Sequence, residues 1–260
     1  MKGNPMKALF NILLALFRPA TAIDRAGTSM KWLWLPIVGI LLVSAVAKAS
    51  IGAPLEIEEA FSQFDAVQLE QGVTQVEDEG TVVEALPPEE GTITEGELAL
   101  DGGMMAIGHV AAVVFGSLGA LFGVLYVATF FFLAAKVWAN QVGYTVMLTV
   151  ASLSLVPHAI RNFIQAAYMQ LTGDFLAHPG LGALVAPATP LDPPGVAYAL
   201  LAQIDIWVIW GLVILAAALF SKTIDFQKKQ VIAAMVTFIA ITGIFGAVPS
   251  LVAGALLGGM

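Results

Sequence analysis

The chain has 260 residues, 58% of them hydrophobic and 12% charged, with a mean hydropathy of +0.87 and a formal net charge of −8. A soluble domain carries roughly 25% charged residues, so this composition excludes a soluble globular fold and a disordered chain alike, and points to a polytopic membrane protein. The charge is uneven: Glu56–Asp101 holds 14 acids, no base lies between Lys48 and Lys136, and the absence of cysteine excludes disulfides and thiolate metal sites.

In chain order, residues 1–31 form a basic N-terminal segment. Within it Lys7, Asn11 and Arg18 fall near one face, and Leu9, Ile12, Leu13, Leu16 and Phe17 on the other. That pattern predicts a short interfacial helix ended by Pro19. Read as a signal-peptide core, the same stretch would be cleaved after Ala20-Thr21-Ala22. Cleavage would reverse every later span and set the basic loops on the wrong side, so the interfacial helix is preferred.

A membrane-crossing helix needs about 20 apolar residues. Transmembrane helix 1 is expected at residues 32–53, interrupted only by Lys48. Residues 54–103 follow as an acidic insertion, in which Ile57, Ala60, Phe61, Phe64 and Val67 predict a short amphipathic helix closed by Gly72. The Pro- and Gly-bearing remainder to Asp101 reads as a linker. Either it is a solvated loop, or its apolar stripe docks a protein partner. Transmembrane helices 2 to 5 are expected at about 104–135, 144–168, 196–220 and 231–257, with a Pro-rich connection at 172–195. The fold class is therefore all-α, with five transmembrane helices preceded by an interfacial helix.

The bases orient these spans. With five crossings, residues 1–31, the loop bearing Lys136 and the loop bearing Lys222, Lys228 and Lys229 share one side, and together hold 9 of the 11 bases. The N-terminus is expected in the cytoplasm and the C-terminus outside.

Ionisable groups inside spans cost roughly 2.5–3.5 kcal/mol each on insertion scales, so each requires a reason. His158, Arg161, Asn162 and Gln165 form one stripe on span three, and span four carries Gln203 and Asp205. Counting from the outer span ends puts Arg161 and Asp205 at similar depth, which predicts an ion pair; His109 on span two could join it. Such a pair either fixes helix register or lines a path for a proton, ion or ligand. A His109/His158/Asp205 metal site lacks the close-spaced ligands that announce one. Gly116, Gly119 and Gly123 form a small-residue ridge expected to pack closely. Trp32, Trp34, Trp138, Trp207 and Tyr168 read as interface anchors.

No phosphate-binding loop, zinc-protease motif, nucleophile elbow or calcium loop is present. No enzymatic activity, metal or cofactor is expected, and no basic face offers itself to nucleic acid.

Three stretches resemble the Yip family (Ypt/Rab-interacting-protein membrane proteins), in its prokaryotic branch. They are Leu16-Phe17-Arg18-Pro19 through Asp24 ahead of Trp32-Leu-Trp-Leu-Pro36, then Ser154-Leu-Val-Pro157, and then Asp205-Ile-Trp207-Val-Ile-Trp210 followed by Lys228-Lys229. The resemblance implies five spans with the N-terminus inside and supplies no catalytic residue. Eukaryotic relatives bind small GTPases and other membrane proteins in vesicle traffic, and some prokaryotic ones sit beside export systems. The acidic insertion departs from the family pattern, and His158 and Arg161 take no family role. The expected function is a non-catalytic adaptor or scaffold for another membrane assembly, with the bilayer and other membrane proteins as partners. The alternative is a small permease or accessory transporter subunit using Arg161, Asp205 and His158.

Overall fold

The computed structural model describes residues 14, 16–26, 33–77, 95–138, 140–176, 180–186 and 195–257. Among these residues every regular element is helical. The helices are α1 (Pro19–Ala26), α2 (Trp34–Glu77), α3 (Glu95–Val137), α4 (Tyr144–Ser154), α5 (Val156–Thr172), α6 (Val196–Leu201), α7 (Ile206–Leu219) and α8 (Lys228–Leu257), with a 3-10 turn at Gly180–Val185.

Four stretches are long and apolar enough to cross a membrane: Trp34–Glu59, Ala106–Val137, Tyr144–Thr172 and Lys228–Val248. Large apolar side chains such as Val43, Phe115, Phe122, Ile244 and Phe245 point outward. Water would make so much exposed apolar surface costly, whereas hydrocarbon accepts it. The chain is therefore read as a multi-pass membrane protein.

The expected fourth span is not one helix. α6 and α7 are separated by Ala202–Asp205, and α7, at 14 residues, is about 21 Å long against a hydrocarbon core of about 30 Å. Two boundaries differ as well. α2 runs from the first span into the insertion without interruption, so the separate amphipathic helix closed by Gly72 does not exist. Pro54 removes one helical hydrogen bond inside α2, but the strong helix formers after it, Leu55 through Ala60, carry the helix on. α3 begins at Glu95, so the end of the expected linker is helical. Residues 78–94 of the insertion lie outside the described residues.

At the N-terminus only Leu14, Leu16 and Phe17 of the expected interfacial helix are described. Pro19 starts α1, its fixed φ and missing N–H being suited to a first helical turn. Ala22 and Ile23 are buried, with Leu16, in the same core as Leu219 and Ile224. Asp24 Oδ1 accepts from the Thr223 amide and hydroxyl, both at 3.2 Å. The Phe17 ring lies 6.3 Å from Trp210, so residues 17–24 run beside α7 toward its end.

One end of the bundle gathers this segment and both remaining base-bearing loops. Trp138 packs edge-on against Phe226 at 5.6 Å, and Asn140 Nδ2 reaches the Ile224 carbonyl at 3.5 Å. Arg18, Lys136, Lys222, Lys228 and Lys229 are exposed. At the other end Gly52 of α2 meets Met169, and Glu58, Ser62 and Asp174 line a shared crevice.

The core is built around Phe131, Met147, Val150, Ile214 and Leu219, which are almost wholly enclosed. The buried hydroxyls of α4 are satisfied within the helix: Ser152 donates to the Leu148 carbonyl at 2.7 Å and Ser154 to Ala151 at 2.8 Å. This lets Ala151–Ser154 sit in an apolar interior without orphaned donors. The glycine ridge on α3 does not pack as expected. Nothing approaches Gly119 within 4 Å of a Cβ position, and Gly116 and Gly123 meet only ordinary contacts at 3.9 Å.

Candidate functional site: the broken fourth helix

The close approach occurs at Gly211 of α7. A Cβ there would lie 2.5 Å from the Ser154 carbonyl oxygen, where α4 gives way to α5. Pro157 cannot donate to the Leu153 carbonyl, and the helical path breaks at Leu155. The bare glycine backbone of α7 fits against that break.

One turn and a half above Gly211, the chain leaves helical geometry. Tyr198, Leu200 and Leu201 carbonyls take the amides of Ala202 (2.8 Å), Gln203 (3.3 Å) and Ile204 (3.0 Å), which closes α6 with tight turns. The Ile204 carbonyl accepts from the Leu181 amide at 3.0 Å. Leu181 belongs to the 3-10 turn of the Pro-rich connection, which thus folds back onto the break. Gly180, at φ 57, lies so close that a Cβ would sit 2.7 Å from Ile204 O, and one on Gly182 would sit 3.0 Å from the Ala202 Cβ. Non-helical backbone at membrane depth persists only where protein covers its polar groups, and this turn supplies such cover.

α7 then starts on Asp205. The backbone of Asp205 is extended (φ −137, ψ 164), and its Oδ1 accepts from the amides of Trp207 at 2.6 Å and Val208 at 3.1 Å. These are the two donors a side-chain N-cap satisfies, and a negative charge there also suits the helix dipole. The other oxygen, Oδ2, takes Arg161 Nη1 at 2.7 Å, with the two side chains 17% and 8% exposed for Arg161 and Asp205. The predicted partners are therefore in contact, and one carboxylate serves both a helix start and an ion pair.

The rest of the predicted stripe divides. Asn162 turns toward α2, its Nδ2 lying 3.5 Å from Ser44 Oγ. His158 faces α7, its ring Cε1 3.8 Å from the Cβ position of Gly211, and its Nδ1 is buried without a hydrogen-bond partner. Gln165 Oε1 is likewise buried and unpartnered. His109 is not brought to the pair: its neighbour Gly108 meets Ile57, nine residues along α2 from Lys48. Among the described residues no three His, Asp or Glu side chains converge as metal ligands.

Of the family-like positions, Pro19 and Pro157 are buried at the starts of α1 and α5, and Arg18 is exposed. Trp207 and Trp210 lie 6.1 Å apart in the first turns of α7, at the level of the ion pair. Trp138 packs on Phe226 beside the core. Trp32 lies outside the described residues.

Sequence reasoning named Lys48 and Gln203 without giving them a place in the site, and it missed Gly180. Lys48, expected at the outer end of span one, lies within electrostatic range of Arg161. Gln203 presses onto the backbone of Gly246 in α8, and Gly180 seats the 3-10 turn on the break. The Gly195-to-Pro187 clustering marked a loop, but nothing in it marked the direction in which that loop folds.

Two cavities flank Arg161. One of about 310 Å³ is lined by Tyr126, Ser154, His158, Gln203 and Thr242, and the other, of about 320 Å³, by Gln165, Gly180, Asp205 and Trp207. The arrangement holds no nucleophile paired with a base. What it can do is fix helix register through the ion pair and present polar atoms to a small ligand. Compared with protein-family models, with curated proteins and with solved structures, the chain matches none.

Proposed function

We propose that the protein is a non-catalytic adaptor or scaffold of Yip type in the inner membrane of a prokaryote, with its N-terminus in the cytoplasm. The fifth crossing is completed by α6, the turn at 202–205 and α7. The observation that carries this reading is the composite basic end. Three separate chain segments are tied there by Asp24–Thr223, Trp138–Phe226 and Asn140–Ile224 contacts. Four exposed bases, Lys136, Lys222, Lys228 and Lys229, project from it. Such a surface is rigid and positive, as a contact face for an acidic region of a membrane partner requires. The Arg161–Asp205 pair serves register in this reading, and the acidic insertion offers a second contact on the outer side.

The test is cross-linking in native membranes followed by purification of the full chain. Reversing Lys222, Lys228 and Lys229 to Glu is expected to abolish the same cross-linked partner bands that the unaltered chain gives. Unchanged bands would overturn the adaptor reading.

A second reading, an accessory transporter subunit, is favoured by one observation: Arg161 lines cavities on both of its sides. Polar side chains at a helix break are the form that substrate sites of many transporters take.

A further inference from the structure

α7 and α8 touch only sparsely along their length, and between them lies a groove of about 730 Å³. Its walls are apolar: Leu200, Ile204, Ile209, Ile239, Ile244 and Ala247. Its inner edge is not. Gln203 and Thr242 line both this groove and the cavity beside Arg161, as do Val208, Leu212 and Phe238, so the two spaces share a wall of five residues. On the inner side stand His158, with its unpartnered buried Nδ1, and the Tyr126 hydroxyl, 3.2 Å from Thr242 Oγ1.

We propose that this groove and cavity together form a binding site for a single-chain bilayer lipid with an uncharged hydroxyl- or carbonyl-bearing head. The chain lies between α7 and α8, and the head reaches past Gln203 to His158. Three features select this occupant. The groove lies within the roughly 300–1,000 Å³ of ordinary ligand sites, and apolar walls with a few convergent polar groups are their usual lining. The polar groups, Gln203 and Thr242, lie only along the inner edge, so the ligand pairs an apolar chain with one polar group. Charge beside the cavity is already balanced, because Arg161 is neutralised by Asp205 at 2.7 Å and the nearby Lys48 has Glu56 within electrostatic range. An anionic or cationic head would bury an unmatched charge at membrane depth, whereas a hydroxyl or carbonyl satisfies His158 at no such cost.

The experiment uses the full chain in phosphatidylcholine nanodiscs with a diazirine-bearing long-chain alcohol as probe. Adducts are mapped by mass spectrometry, and unlabelled alcohol is compared with the carboxylate of the same chain length as competitor. Labelling is expected to saturate, to fall on residues 200–212 and 239–247, and to be displaced by the alcohol at least about fivefold better than by the carboxylate, whose charge stays unmatched there. Non-saturating labelling, which is what annular phospholipid would give, overturns the proposal. Equal or better displacement by the carboxylate overturns it as well. His158→Phe is expected to weaken displacement by the alcohol about fivefold, the value of one hydrogen bond; an undiminished potency would overturn the placement of the head. Gly243→Leu, which adds a side chain to the groove wall where a Cβ meets only Leu200 at 3.9 Å, is expected to reduce labelling without changing the alcohol's advantage over the carboxylate.

Discussion

Asp205 divides its work between two oxygens, and the consequences of changing it follow from that division. Asn at this position keeps an acceptor for the amides of Trp207 and Val208 but leaves Arg161 without a counter-charge. Ala removes both, so Asp205→Ala is expected to cost about 1 kcal/mol more than Asp205→Asn, the usual worth of an N-cap. Thermal or denaturant unfolding in detergent checks the difference. The same division explains why a simple charge swap is a poor test: an arginine at 205 would restore the pair while abolishing the cap and opposing the helix dipole. Gly211 is the second residue with no freedom. Gly211→Ala drives a Cβ into the Ser154 carbonyl and is expected to destabilise by about 1–3 kcal/mol, as overpacking does. Gly119→Ala meets nothing within 4 Å and is expected to be neutral or stabilising by up to about 1 kcal/mol, because alanine is the better helix former. Equal effects at the two glycines would contradict the packing described for α7.

At the scale of elements, α1 acts as a strap. Its buried Ile23 enters the core, and Asp24 fastens it to the loop between α7 and α8. Asp24 is exposed, so its two hydrogen bonds are modest in worth. Asp24→Ala is expected to cost about 1 kcal/mol and to raise amide hydrogen exchange selectively in residues 16–26. Unchanged exchange there would show that packing alone holds the strap. The loop it fastens is itself constrained: Asp225 has φ 57, which Asp tolerates better than most residues, and Ser221 O takes the amides of Ile224 at 3.0 Å and Asp225 at 2.8 Å. α6, the 3-10 turn and α7 act as another unit. Each is too short to be stable alone, and each satisfies backbone groups that another leaves open.

At the scale of the whole molecule, hydropathy located four membrane-long apolar stretches, with ends that differ by up to nine residues, because long apolar runs leave the backbone no alternative in a bilayer. The Arg161–Asp205 contact was also legible, since two opposite charges at one depth on neighbouring helices have few other partners. The break at 202–205 was not. Ala202, Gln203 and Ile204 carry neither glycine nor proline, and the break depends on Gly180 and Gly182 arriving from a distant segment. Nor was the continuity of α2 legible, because a proline and a change from apolar to acidic residues ordinarily mark a boundary. The native absence of cysteine makes the proposed topology directly measurable. Single cysteines at Lys136, Lys222 and Asp174 are expected to react with an impermeant maleimide so that the first two share one side and the third lies opposite. Labelling of all three from one side would contradict it.

The ion pair holds the start of α7 against α5, and a double-mutant cycle in unfolding free energy measures that coupling. Arg161→Gln and Asp205→Asn each strand one buried charge, with an expected loss of about 3 kcal/mol, while the combined variant removes both charges and retains the cap acceptor. The double variant is expected to be more stable than either single variant. Losses that simply add would contradict it.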